Sequence, residues 1–138
     1  YMIKKLLLLI ITILTVSSCS LRDEESNLSI ETLPIKQAEV PIEFDYGAIY
    51  KLKVLFDLPS GCHSFYDLFY QYENSTRIVA INSVVNTKMA CTEVLIEREF
   101  EFEVKVTQQA DYIFKFWKGT DNAGNDIFEE IIVPVVTP

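Results

Sequence analysis

The sequence predicts an all-β domain, a seven-stranded sandwich that follows a cleaved leader and a short tether. Three observations carry this. Apolar and polar residues alternate with a period of two in one segment after another beyond Ile35. Turn formers such as Pro59, Ser60 and Gly61 stand between these segments. No segment of the domain carries the apolar stripe of an amphipathic helix.

Residues 1–18 have the order of a secretory leader: Lys4 and Lys5, an apolar run over 6–16, then Ser17 and Ser18. The run of about eleven residues falls short of the roughly 20 that a membrane-spanning helix needs. Tyr1 precedes the initiator-like Met2 and is given no role. Val16, Ser17, Ser18 and Cys19 resemble the bacterial lipobox. The resemblance implies cleavage before Cys19, lipidation of its thiol and acylation of its new amino group, with a palmitate-like chain. Several chains make a stable anchor where one holds only marginally. A plain secretory signal with a chance cysteine is the alternative.

Ser20 follows the cysteine, where an Asp would signal differently, and Asp23, Glu24 and Glu25 form an acidic run close behind. That run is similar to the surface-export signal of Bacteroidota lipoproteins. It implies a lipoprotein of the bacterial outer membrane, on the cell surface in preference to the periplasmic face. Residues 19–34 are polar and without sustained period, as an acidic tether would be. The domain is expected to occupy residues 35–138.

Within it, strands are expected at 40–46, 49–58, 64–72, 76–85, 97–107, 111–118 and 126–136. The clearest is 97–107, where Phe100, Phe102, Val104 and Val106 alternate with Glu99, Glu101, Glu103 and Lys105. In 49–58, Tyr50, Leu52, Val54 and Phe56 share a face. Seven strands are the count of a small immunoglobulin-like sandwich. The run Ala110, Asp111, Tyr112, Ile113, Phe114 resembles the start of the sixth strand of immunoglobulin-type domains, and Asp121 to Asn125 is similar to the last hairpin of bacterial immunoglobulin-like modules. The first resemblance implies a tyrosine corner at Tyr112. The antibody pattern has Asp and Cys where this chain has Gln108 and Phe114, so the antibody-type disulfide is not implied.

A chain of 138 residues holds one core, and 49% hydrophobic with 23% charged residues is an ordinary globular composition. The net charge of −8 falls to −10 once residues 1–18, with two lysines and no acid, are removed. A nucleic-acid partner is excluded, because phosphates require a basic stripe. Of three cysteines, Cys19 is assigned to the lipobox, and Cys62 and Cys91 are expected to pair in an oxidising compartment.

The remaining candidates for chemistry reduce to simpler readings. His63 is the only histidine and has no ligand spacing around it. Glu97, Glu99, Glu101 and Glu103 lie on one solvated strand face, whereas acid–base pairs need contrasting environments. Asp121, Asn122, Asn125 and Asp126 lack the EF-hand spacing and suit a hairpin. Asn74 begins a sequon-like triplet and is read as a hairpin residue. The serine-elbow, zinc-helix, phosphate-loop and dinucleotide motifs are missing. Neither catalysis nor a metal or cofactor is expected.

The expected function is a non-catalytic, lipid-anchored module of the cell envelope that binds a protein or a glycan. One alternative is a protease inhibitor acting through the loop 59–63; another is an accessory glycan-binding lipoprotein, favoured by 7 Tyr, 9 Phe and 1 Trp. Strict alternation places Phe65 and Phe69 outward with Asp67 and Gln71. The corner argument turns Ile113, Lys115 and Trp117 outward. If the strands 64–72 and 111–118 are neighbours, as in an immunoglobulin sandwich, then Phe65, Phe69, Ile113 and Trp117 form one exposed binding patch. A covering segment, either the tether or residues 86–89, is the alternative.

Overall fold

The computed structural model describes residues 27–137, together with Ile3. The leader, the lipobox at Cys19 and the acidic run at residues 23–25 lie outside the described residues. In chain order the strands are β1 (Leu28–Leu33), β2 (Ile35–Glu39), β3 (Phe44–Asp45), β4 (Ile49–Leu58) and β5 (His63–Glu73). They continue with β6 (Thr76–Asn86), β7 (Ile96–Lys105), β8 (Tyr112–Thr120), β9 (Asp126–Val133) and β10 (Val135–Val136). The fold is an all-β sandwich, as the alternation predicts.

The smaller of the two packed sheets has three strands in the order β2-β4-β7, the larger has five, and β10 and β3 form a separate two-stranded pair. In the larger sheet β5 covers one edge of β6 along its length, while β8 and β1 divide the other edge. The inner faces meet in a core of Leu52, Val54 and Phe56 from β4, Val79 and Ile81 from β6, and Tyr112, Phe114 and Phe116 from β8. Phe44 closes one end, edge-on to Tyr112 at 5.2 Å between ring centroids. The outer face of the smaller sheet carries the acids of β7, and Lys53 stands 3.7 and 3.9 Å from Glu99 and Glu101. Lys36 joins Asp57 and Glu97 at 3.1 and 2.7 Å. The glutamate row is a solvated face on which Glu97, Glu99 and Glu101 are paired with lysines.

Four details depart from the sequence-based expectation. Leu28–Leu33, inside the segment assigned to the tether, is a strand paired with β6 from Leu28↔Asn86 to Leu33↔Ile81. Its pattern escaped composition because only Leu33 is buried. The strand expected at 40–46 shrinks to β3, and its place in the sheet is taken by β2, which carries a register shift between Ile35 and Gln37. Pro34 separates β1 from β2, so the chain leaves one sheet and enters the other there. The strand expected at 126–136 is split at Pro134, which has no N–H to donate; β10 then pairs parallel with β3.

The fourth departure is the neighbour of β8. It pairs with β6, in parallel, from Thr76↔Ile113 to Val79↔Phe116. The strands around 64–72 and 111–118 are therefore not neighbours, because β6 lies between them.

Candidate functional site

The parallel ladder between β6 and β8 ends at Val79↔Phe116, and from Ile81 onward β1 occupies the same edge of β6. Where the edge changes hands, the outer face of the larger sheet opens into a groove of about 320 Å³. Ile78 and Ala80 form its floor. Phe69 of β5, Trp117 of β8 and Phe128 of β9 form aromatic walls, and Thr32, Gln71 and Asp126 supply polar groups.

Local sequence explains each placement. In β8, Tyr112, Phe114 and Phe116 point into the core, so the intervening Ile113, Lys115 and Trp117 point out. Trp117 stands opposite Phe128 across the β8–β9 ladder, just before a register shift at Gly119, whose φ is 111°. The shift lets the Trp117 indole Nε1 donate to Asp126 Oδ1 at 3.0 Å, which fixes the ring at the groove wall. Next to it Lys118 turns toward the β2 backbone, donating to the carbonyls of Ile35 and Lys36 at 2.9 and 2.6 Å.

The four residues of the expected patch separate into three environments. Phe69 and Trp117 line the groove. Phe65 does not: a register shift between Phe65 and Asp67 leaves Tyr66 as an extra residue and reverses the phase of the strand. Phe65 pairs with Ser83, an inner-face position, and its ring stacks on Phe100 at 4.6 Å and approaches Phe56 at 6.0 Å. Strict alternation across the bulge was the faulty step. Ile113 does face out but stands opposite Ile132 and Thr76, beyond Lys115, and does not line the groove. Ile78, Ala80, Phe128, Thr32 and Asp126 are not among the residues expected there, and Gln71 is expected only to share the outward face of Phe69. Their signal was present in part: period two places Phe128 on the outer face of its strand.

The other named residues serve the scaffold. Cys62 and Cys91 form a disulfide, with Cα atoms 5.3 Å apart, that ties the turn before β5 to the segment before β7. The Tyr112 hydroxyl accepts from the Thr107 N–H at 3.1 Å and lies 3.5 Å from the Lys105 carbonyl, the geometry of a tyrosine corner. Asn74 takes the positive φ of 54° in the β5–β6 turn. Asp121 accepts from the Ala123 and Asn125 amides at 2.9 Å each. These bonds, that of the Asn125 amide first, hold its carboxyl below the usual range. Among the described residues no group of three or more His, Cys, Asp or Glu is placed to hold a metal ion.

His63 has more company than the sequence promised. Ser60 Oγ lies 2.7 Å from its Nδ1, and Glu31 Oε2 lies 2.7 Å from its Nε2. This is a hydroxyl–imidazole–carboxylate relay, yet a nucleophilic serine also needs amide donors free to receive an oxyanion. The three amides of the turn are spent: Gly61 donates to the Thr92 carbonyl, Cys62 to Ser60 Oγ and His63 to the Ser60 carbonyl. The relay staples β1 to the disulfide turn.

No curated protein and no solved structure matches the chain. The family model of the ORF11 beta-sandwich domain matches residues 52–131, from within β4 to within β9. That span is more than half of the 138 residues and includes the floor of the groove and all three aromatic walls. With the two-sheet architecture it covers, this match makes the chain a member of the ORF11 beta-sandwich domain family.

Proposed function

We propose that the chain is a non-catalytic, lipid-anchored protein of a bacterial outer membrane, of Bacteroidota type, that displays its sandwich as a binding module with the outer groove as its ligand site. The lipobox-like residues 16–19 and the acidic run at residues 23–25 support the anchor and the surface address. The observation that carries the binding role is the groove itself. Three aromatic rings stand around an apolar floor, and an amide, a hydroxyl and a carboxylate converge on it.

That composition favours a neutral sugar over a protein partner. A sugar ring presents C–H faces to aromatic planes and hydroxyls to amide and carboxylate groups. A groove of about 320 Å³ holds a small ligand, whereas a stable protein interface buries roughly 1,200 Å² or more. The chain's only tryptophan is placed in this wall, with its N–H directed by Asp126.

The test is a glycan array probed with the mature chain carrying Cys19→Ser, alongside its Trp117→Ala derivative. Retention of neutral glycans by the first and loss by the second supports the reading. Equal retention by both removes the groove from it. For the anchor, Cys19→Ser is expected to release the protein from the membrane fraction and globomycin to leave a larger precursor. An unchanged fractionation would overturn the lipid anchor.

A further inference from the structure

On the opposite side of the larger sheet, between the edge strands β5 and β7, lies a second recess of about 170 Å³. Its walls include Tyr70, Tyr72, Arg77, Lys105 and Tyr112. Arg77 is 4% exposed, and among the described residues it forms no ion pair within 4 Å. Burying a guanidinium without a counter-charge is costly.

The guanidinium is partly satisfied. Nη1 donates to the carbonyls of Asn74 and Thr76 at 2.8 and 3.1 Å, and Nη2 to the Gln108 side-chain oxygen at 2.8 Å. Its plane is held near two rings, with Cζ 4.2 Å from the centroid of Tyr72 and 5.0 Å from that of Tyr112. All of these partners are neutral. Of the five N–H donors, Nε–H is buried without an acceptor, and Nη2 has a second hydrogen beyond the bond to Gln108. Nε and Nη2 share the edge through which arginine grips a carboxylate with two parallel bonds. The Tyr70 hydroxyl also interacts with the guanidinium but brings no charge to it near neutral pH, because burial pushes its ionisation up to about 12. Glu103 and Lys105 border the recess along β7 on either side of the buried Val104, with their side chains exposed, and Glu103 makes no ion pair with Arg77.

We infer that this recess is a binding site for a small organic carboxylate, with Arg77 as its counter-charge. The space equals about five or six waters at about 30 Å³ each, enough for an acetate or the acid end of a sugar acid. Binding requires a modest movement of Tyr72, because the Nε atom is shielded from solvent.

The test is calorimetric titration of the mature Cys19→Ser chain with sodium acetate, sodium glucuronate and, as the neutral control, glucose, at fixed ionic strength. Arg77→Gln removes the counter-charge but also a buried anchor, so the deciding variant is Gln108→Glu. It places a carboxylate against Nη2 and is expected to keep or raise the thermal midpoint. The parent chain is expected to bind one or both carboxylates saturably and not glucose, and Gln108→Glu to bind them about tenfold or more weakly. Tighter binding of glucuronate than of acetate would assign the site to sugar acids, and equal binding to the bare carboxylate. No saturable carboxylate binding by the parent chain, or the same affinity in Gln108→Glu, would overturn the inference.

Discussion

The indole nitrogen of Trp117 donates to the Asp126 carboxylate at 3.0 Å, across the hairpin that joins β8 to β9. The bond holds the chain's single tryptophan as a fixed wall of the outer groove in place of a side chain free to rotate. Asp126→Ala should therefore weaken ligand binding by about 1 kcal/mol, several-fold in Kd, with little change in fold. Calorimetry on the best ligand from the array measures it.

Phe65 and Phe69, four residues apart, should respond oppositely to truncation. Phe65 is packed on Phe100 and Phe56, so Phe65→Ala should cost about 2 kcal/mol of stability, less than a fully buried phenylalanine because its ring is partly exposed. Phe69→Ala should cost well under that and should reduce ligand binding. Urea unfolding of the two variants, read by far-UV circular dichroism, separates them.

That contrast shows where the sequence was legible. Alternation in β4, β7 and β8 depends on one face being core and the other solvent, and Leu52, Val54, Phe56, Val104, Phe114 and Phe116 are buried as expected. A bulge breaks the rule without a Gly or Pro to announce it. In β5 the only trace was that Phe65 and Tyr66 are both aromatic, so two phases compete. The pairing of β6 with β8 was illegible for a different reason: it is a contact between strands far apart in sequence, and no local residue pattern encodes it. Hence the expected patch and the observed groove share only Phe69 and Trp117, and the floor between them, Ile78 and Ala80, had no local signal.

The disulfide should be a large contributor to stability. It closes a loop with a sequence separation of 29, for which chain entropy gives roughly 3 to 4 kcal/mol. The double variant Cys62→Ser, Cys91→Ser should lose about that much in denaturant unfolding, and peptide mapping without reductant should recover the linked pair from exported protein. Free thiols at both positions would contradict the pairing.

Tyr112→Phe should destabilise the domain by about 1 kcal/mol or more, since the Thr107 amide loses its acceptor at the corner. The fold should persist, because the ring remains in the core against Phe44 and Phe114. Hydrogen exchange should quicken at the Thr107 amide.

Alkaline pH should weaken the domain through Tyr70. In the fold, burial raises its ionisation to about 12, whereas an unfolded tyrosine ionises near about 10. Between these values the unfolded chain has released a proton that the folded chain retains, so stability falls as pH rises. The contribution is complete below about pH 10 and is lost as pH approaches about 12. Tyr70→Phe should flatten that part of the stability profile, measured by urea unfolding at pH 9 and 11.

The groove as ligand site is tested most directly by the emission of Trp117, since the chain has one tryptophan and its fluorescence reports that wall alone. Titrating the mature Cys19→Ser chain with the neutral oligosaccharides it retains on an array should shift the emission saturably and shield the indole from acrylamide. Saturable sugar binding by calorimetry with no change in Trp117 emission or quenching would contradict the account.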